Sequence, residues 1–136
     1  MAEVHDKKTR SFNMSQIKGK NTKPEILVRK FLFSKGFRFR LHDKRLPGKP
    51  DIVLPKHNTV INVHGCFWHG HTGCRYYVVP KTRTNWWLDK ISRNKQLDRI
   101  NSGRLTRDGW SVLKVFECEL MPRRRDRTLK KILKFI

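Results

Sequence analysis

At 136 residues the chain has room for one hydrophobic core, since a second would need about 50 residues of its own. Apolar residues (37%) and aromatics (10%) are spread along the chain, which excludes a wholly disordered protein and supports one domain over residues 1–136. The 32 Lys and Arg against 11 Asp and Glu give a formal charge of +21, a surface that repels itself unless it meets a polyanion, so nucleic acid is the expected partner.

In chain order, SFNMSQIKGKN has the composition of a short basic helix within a basic stretch, residues 1–20, expected to contact DNA. TKPEILVRKFLFSKG carries fuller helix signals: Thr22 as N-cap, Pro24 in the first turn, Glu25 three residues after the cap, and Gly36 as the stop. After Gly36 the pattern alternates, with Phe37, Phe39 and Leu41 on one face and Arg38 and Arg40 on the other, which predicts a strand with a basic outer face. LPGKP is a turn, DIVL a short buried strand, PKHN another turn and TVINVH a third strand, so three strands in meander order follow one helix.

From Gly65 to Pro80 the chain is rich in Cys, His, Gly and aromatic residues, and a loop this long usually carries a function or a cross-link. TNWWLDKISRNKQLDRINSGRL then predicts a long helix, with Trp87, Leu88, Ile91, Leu97 and Ile100 as its apolar stripe. GWSVLKVFEC is a strand, the basic run at 121–127 a connection, and RTLKKILKFI a closing basic helix. The class is α/β, in the order helix, three strands, helix, strand, helix.

No stretch reaches the roughly 18 to 20 apolar residues of a membrane span, and MAEVHDKKTR lacks the apolar core of a secretion signal. A cytoplasmic, nucleoid-associated protein without membrane contact is expected. In that reducing setting three cysteines point away from disulfides and toward metal. Cys66 and Cys74 flank a histidine-rich loop, and Cys118 follows a strand that can run beside the one ending at His64. Three thiolates and one imidazole make a closed tetrahedron suited to structural Zn2+, with His64, His69 and His71 competing as the nitrogen ligand. The plain alternative is three buried free cysteines.

KPDIVL followed by TVINVH sets Asp51 at the start of one strand and Asn62 and His64 near the end of the next. This is the layout of a Pro-Asp…(Asp/Glu)-x-Lys nuclease motif, with Asn62 in place of the acid and His64 in place of the lysine. In such sites a carboxylate and a neighbouring backbone carbonyl bind Mg2+, which polarises the phosphate and activates water. The alternative reading of an Asp after Pro is a turn cap. His64 and His69 frame GCFW and suit acid–base work near neutral pH. Glu25 either completes the capping box, the stronger reading, or faces the metal from its helix. The N-terminal segment, Arg38, Arg40, Arg123, Arg124 and Arg125 are the candidate phosphate contacts.

Through VHDKKTRSFNMSQIKGKNTKPE, LPGKPDIVL, NVHGCFWHGH, PKTRTNWWLDKI and GWSVLKVFECEL the chain resembles the very-short-patch mismatch repair (Vsr) endonucleases over nearly its whole length, HGCFWHGH being the most specific segment. The resemblance implies a restriction endonuclease-like three-layer core, a mixed sheet flanked by helices with a structural zinc loop. It implies Mg2+-dependent nicking of double-stranded DNA 5′ of the thymine in a T:G mismatch left by deamination of 5-methylcytosine. It further implies Asp51 and the Val63 carbonyl as Mg2+ ligands, His69 as acid–base group with His64 as helper, and Zn2+ on Cys66, His71, Cys74 and Cys118. Phe67, Trp68 and Trp87, which matches better than Trp86, are implied as the wedge beside the mismatch, against a plain role in packing the zinc loop. Two departures stand out: an extra residue between His71 and Cys74, and Val63, which brings no side-chain oxygen. A monomer suffices for one asymmetric nick, and mismatch repair proteins are candidate partners. The rivals are a zinc-dependent DNA-binding protein without catalysis and a restriction or junction nuclease on the same fold.

Overall fold

The computed structural model of the protein describes residues 22–66, 71, 74 and 79–136. The elements are α1 (Lys23–Ser34), β1 (Arg40–Leu41), β2 (Ile52–Leu54), β3 (Thr59–His64), α2 (Thr84–Arg107), β4 (Ser111–Phe116) and α3 (Arg125–Phe135), in the order expected from the sequence. The short basic helix expected before Thr22 lies outside the described residues. No helix among the described residues is long and apolar enough to cross a membrane.

Helix α1 starts where its sequence says it should, with the Thr22 hydroxyl accepting the Glu25 N–H and Pro24 in the first turn. It ends at Gly36, whose φ of +88° suits a residue without Cβ. The sheet has order β1-β2-β3-β4: an antiparallel meander, then β4 parallel to β3. The parallel pair needs a crossover, which α2 supplies.

Alternate residues of the central strands pack on opposite faces. Ile52, Leu54, Ile61, Leu113 and Val115 join Val28 and Leu32 of α1 and Ile132 of α3 in the larger core. Val53 and Val60 turn the other way, onto Leu105 of α2 with Trp110 and Val112 beside them. Helices therefore cover both faces of a mixed sheet, and the near-continuous apolar run of β2 is what burial on two sides requires. Gly48 permits one close approach: a Cβ there would come 3.0 Å from the Asn101 side chain of α2.

Two expectations need correction. The strand over Phe37–Leu41 shrinks to two residues, because only Arg40 and Leu41 find partners, Val53 and Ile52, on the three-residue β2. Phe37 and Phe39 still pack against the larger core, whereas Leu41 is exposed. In α2 the expected stripe has the wrong phase. Leu88, Leu97 and Ile100 are 44%, 56% and 44% exposed, and of that stripe only Ile91 is fully buried. The inward face runs through Thr84, Trp87, Ile91, Asn94, Asp98, Asn101 and Leu105 at alternating steps of three and four. Its middle is polar.

Candidate active site and metal centres

The Pro50–Asp51 step turns the chain into β2 at the point where β3 is about to end. Across that antiparallel pair the Val63 N–H donates to Asp51 Oδ2 at 2.8 Å, and Asn62 Oδ1 accepts the Asp51 N–H at 3.3 Å. Asn62, at the motif's acid position, thus holds the Asp51 backbone. The carboxylate is fixed by the neighbouring strand.

Two more donors converge on it. Glu25 is 2% exposed; its backbone N–H satisfies the Thr22 cap, while its carboxylate turns to His42 and Arg29 at 2.7 and 3.3 Å. The capping reading therefore holds for the Thr22 half, and the carboxylate faces inward. Ligand atoms of Glu25, His42 and Asp51 lie within 4.8 Å of one another, a set able to hold a metal ion. His42 was not among the residues singled out from sequence. It sits one residue past β1, where its N–H continues the ladder to the Asp51 carbonyl at 3.1 Å. Asp43 anchors the turn that follows, accepting from the Arg45 N–H and side chain at 3.0 Å, and that side-chain bond above all holds its carboxyl below the usual carboxylate value.

His64 closes β3, buried and edge-on to Phe116 of β4 with ring centroids 5.6 Å apart. Its Nδ1 lies 3.9 Å from Asp98 Oδ2. Asp98 also escaped the sequence reading, although an acid in the middle of a helix's inward face is a usable signal. The inward phase brings Trp87 along the same face as Asp98, partly buried and edge-on to Trp86 at 4.7 Å, while Trp86 is 46% exposed.

The second cluster lies just beyond the ends of β3 and β4. Donor atoms of Cys66, His71, Cys74 and Cys118 all fall within 4.8 Å of one another. The Cys118 N–H donates to Cys66 Sγ at 3.4 Å, and Cys118 Sγ lies 3.4 Å from His71 Nδ1. Parallel pairing of His64 with Phe116 brings the two distant chain segments side by side. Burial pushes the Cys66 and Cys118 thiols up, and the neighbouring Cys74 adds to both shifts. A cation is the natural counter-charge for thiolates so placed, and the donor set fits a tetrahedral thiolate–imidazole centre. Among the described residues, His71 is the histidine whose ring nitrogen falls within this cluster.

Of the other expected site residues, Phe67, Trp68 and His69 lie outside the described residues, as does the 1–20 segment. Arg38, Arg123 and Arg124 are exposed, and Arg40 reaches Asp43 at 3.9 Å. Arg38 stacks over Phe33 at 4.5 Å, and Arg124 lies 3.9 Å from Cys118 Sγ. Arg125 is half-buried, its Nε donating to the Leu120 carbonyl at 3.0 Å.

Residues 2–75 match the family described as DNA mismatch endonuclease Vsr. The chain is 46% identical over 125 residues to the DNA mismatch endonuclease Vsr of Escherichia coli, covering 92% of this chain and 80% of that one. It belongs to the Vsr family. The type II nicking enzyme V.NmeAIP of Neisseria meningitidis serogroup A is 51% identical over 120 residues, 88% of this chain and 85% of that enzyme. The type II nicking enzyme V.XorIIP of Xanthomonas oryzae is 50% identical over 111 residues, 82% and 81% of the two chains. Within the Vsr alignment lie Glu25, His42, Asp51, His64 and three of the four members of the cysteine–histidine cluster.

Proposed function

We propose that this chain is a Mg2+-dependent DNA mismatch endonuclease that nicks one strand 5′ of the thymine in a T:G mismatch arising from 5-methylcytosine deamination. The observation that carries the reading is the convergence of two carboxylates from separate elements, Glu25 and Asp51, beside the strand that ends at His64. The helix-covered mixed sheet supports a restriction endonuclease-like core.

Asp51 and Glu25 are the acids that would hold Mg2+. In an extended strand the N–H and C=O of one residue point to the same side, so the N–H of Val63 on Asp51 supports its carbonyl as a further oxygen donor. A cation held by these residues would supply Lewis acidity toward a phosphate oxygen and toward water. The protein's own groups do the rest: His64, with Asp98 stabilising its positive charge, moves a proton beside the phosphate, and His69 is the leading acid–base group. Phe67, Trp68 and Trp87 replace the stacking lost at the mispair, where unstacking costs only a few kcal/mol.

Zn2+ on Cys66, His71, Cys74 and Cys118 is a structural tie, holding the aromatic loop to the ends of β3 and β4. Arg38, Arg40, Arg123 and Arg124, with the basic N-terminal segment, bind phosphates. A monomer is enough for one nick.

A duplex-nicking assay with Mg2+ and with EDTA, on wild type and Asp51→Asn, tests the nuclease assignment. Nicking that needs both the metal and Asp51 is the expected result. Mismatch binding without nicking under any metal would instead make the chain a zinc-dependent DNA-binding protein.

A further inference from the structure

Glu25 and Asp51 bring only oxygen to a cation. The third member of their cluster, His42, brings nitrogen, and nothing in the motif that located Asp51 asks for it. We infer that His42 is a direct nitrogen donor to the catalytic cation, and that this mixed carboxylate–imidazole site favours Mn2+ over Mg2+. The inference rests on the reading of Glu25 and Asp51 as the metal-binding acids.

Three separate elements supply the three donors: the first turn of α1, the residue after β1 and the residue before β2. Their ligand atoms fall within 4.8 Å of one another without any acidic surface run to gather them. His42 is also held from both sides along the chain. Its N–H is fixed to the Asp51 carbonyl, its φ of +47° turns the backbone out of β1, and the Asp43–Arg45 bonds lock the turn that follows. The ring therefore stays beside Glu25 at little further cost in ordering. Glu25 is 2% exposed by its side chain and His42 20%, so the cluster is closed on the helix side and reached by solvent past the imidazole.

Donor chemistry then sets the preference. Mg2+ is satisfied by oxygen ligands and retained waters, whereas Mn2+ shares the preference for oxygen but, as a softer first-row ion, accepts one imidazole among carboxylates more readily. The His42 Nε2–H donates to Glu25 Oε2 at 2.7 Å, and with the proton on Nδ1 instead the same nitrogen would offer its lone pair to a cation beside that oxygen. Metal coordination and a plain His–Glu hydrogen bond differ in one observable, a nitrogen bound to the cation.

Mn2+ is the probe, because its unpaired electrons register a coordinated nitrogen-14 and because oxygen-preferring Mn2+ competes poorly for thiolates. Electron spin-echo spectra of Mn2+ on the zinc-loaded full chain are expected to show nitrogen modulation. The modulation should vanish in His42→Gln and persist in His64→Ala. Mn2+ affinity, read from the free-ion resonance signal, should fall roughly tenfold or more in His42→Gln, in keeping with the loss of a metal-site residue. Mg2+ affinity, read by competition, should fall by less.

Bound Mn2+ without nitrogen modulation in the wild type overturns the inference and leaves the acids' role standing. So does modulation that survives His42→Gln. Equal Mn2+ binding by wild type and Asp51→Asn would instead overturn the underlying reading of the acids. The wild-type spectrum needs no variant to fold, and a melting curve on His42→Gln shows whether its affinity reports the site alone.

Discussion

The imidazole of His71 lies face to face with the ring of Phe116, centroids 3.9 Å apart and planes 7° from parallel. The same Phe116 meets His64 edge-on and pairs with it across the parallel strands. One aromatic ring therefore touches both the cysteine–histidine cluster and the last residue of β3, so the two candidate sites share a packing element.

Phe116→Leu keeps an apolar side chain and removes both ring contacts. Each aromatic pair contributes about 0.5–1.5 kcal/mol beyond burial, so a loss of roughly 1–3 kcal/mol in stability is expected. Zinc release to a chelator, followed with a metallochromic dye, should quicken together with the fall in melting temperature. Unchanged release would mean that Phe116 does not steady His71.

Removal of zinc should change the pH dependence of stability. In the metal-free protein burial raises the Cys66 and Cys118 thiols above their ordinary value of 9.0. Their folded-state preference for the protonated form is thus fully present below that value and is lost as pH rises toward the raised folded values. Denaturant midpoints of chelator-treated protein should fall between pH 8 and 10.5 on this account. Zinc-loaded protein should not show that loss, because metal binding favours the deprotonated thiols.

Asp98→Asn removes the charge 3.9 Å from His64 while keeping the shape of the side chain. Single-turnover cleavage should slow by about 10- to 100-fold, less than the full ~100-fold or more of an acid–base group because the imidazole itself remains. Affinity for uncleaved mismatch DNA, measured without metal, should hold within about twofold, because a change that acts only on the chemical step leaves ground-state binding alone. A matched loss of affinity would make Asp98 a folding residue.

The phosphate contacts separate by salt. Log affinity falls by about 0.9 per neutralised phosphate for each tenfold rise in salt, so Arg123→Ala should lower the slope by roughly one. Arg125→Ala should leave the slope almost unchanged and cost stability, because its guanidinium already serves the Leu120 carbonyl. Equal slope changes for both would place Arg125 on the DNA as well.

Much of this site was legible in the sequence, and the gaps share a physical cause. Local signals worked: Thr22, Pro24 and Gly36 bound α1, and the Pro50–Asp51 step located the carboxylate that the β2–β3 pair then holds. Cys118 met Cys66 because a strand before it could run beside β3. What failed was phase and distance. Hydrophobicity alone sets the wrong phase for α2, because the helix half-buries Asn94, Asp98 and Asn101 between Ile91 and Leu105 and leaves Leu97 and Ile100 exposed. The β1 strand was overdrawn because alternation of Phe and Arg says nothing about how long the partner strand is. His42 carries no motif; its place beside Glu25 and Asp51 follows from a left-handed turn and a ladder bond that are visible only once the strands are paired.

The most direct measurement is strand-resolved cleavage of end-labelled duplexes in Mg2+, comparing a T:G mismatch with its matched C:G counterpart for wild type and Asp51→Asn. The account predicts a single nick 5′ of the thymine, on the thymine strand of the mismatched duplex alone, and none with Asp51→Asn. Cleavage of the matched duplex at a similar rate, or a nick that survives Asp51→Asn, would contradict it.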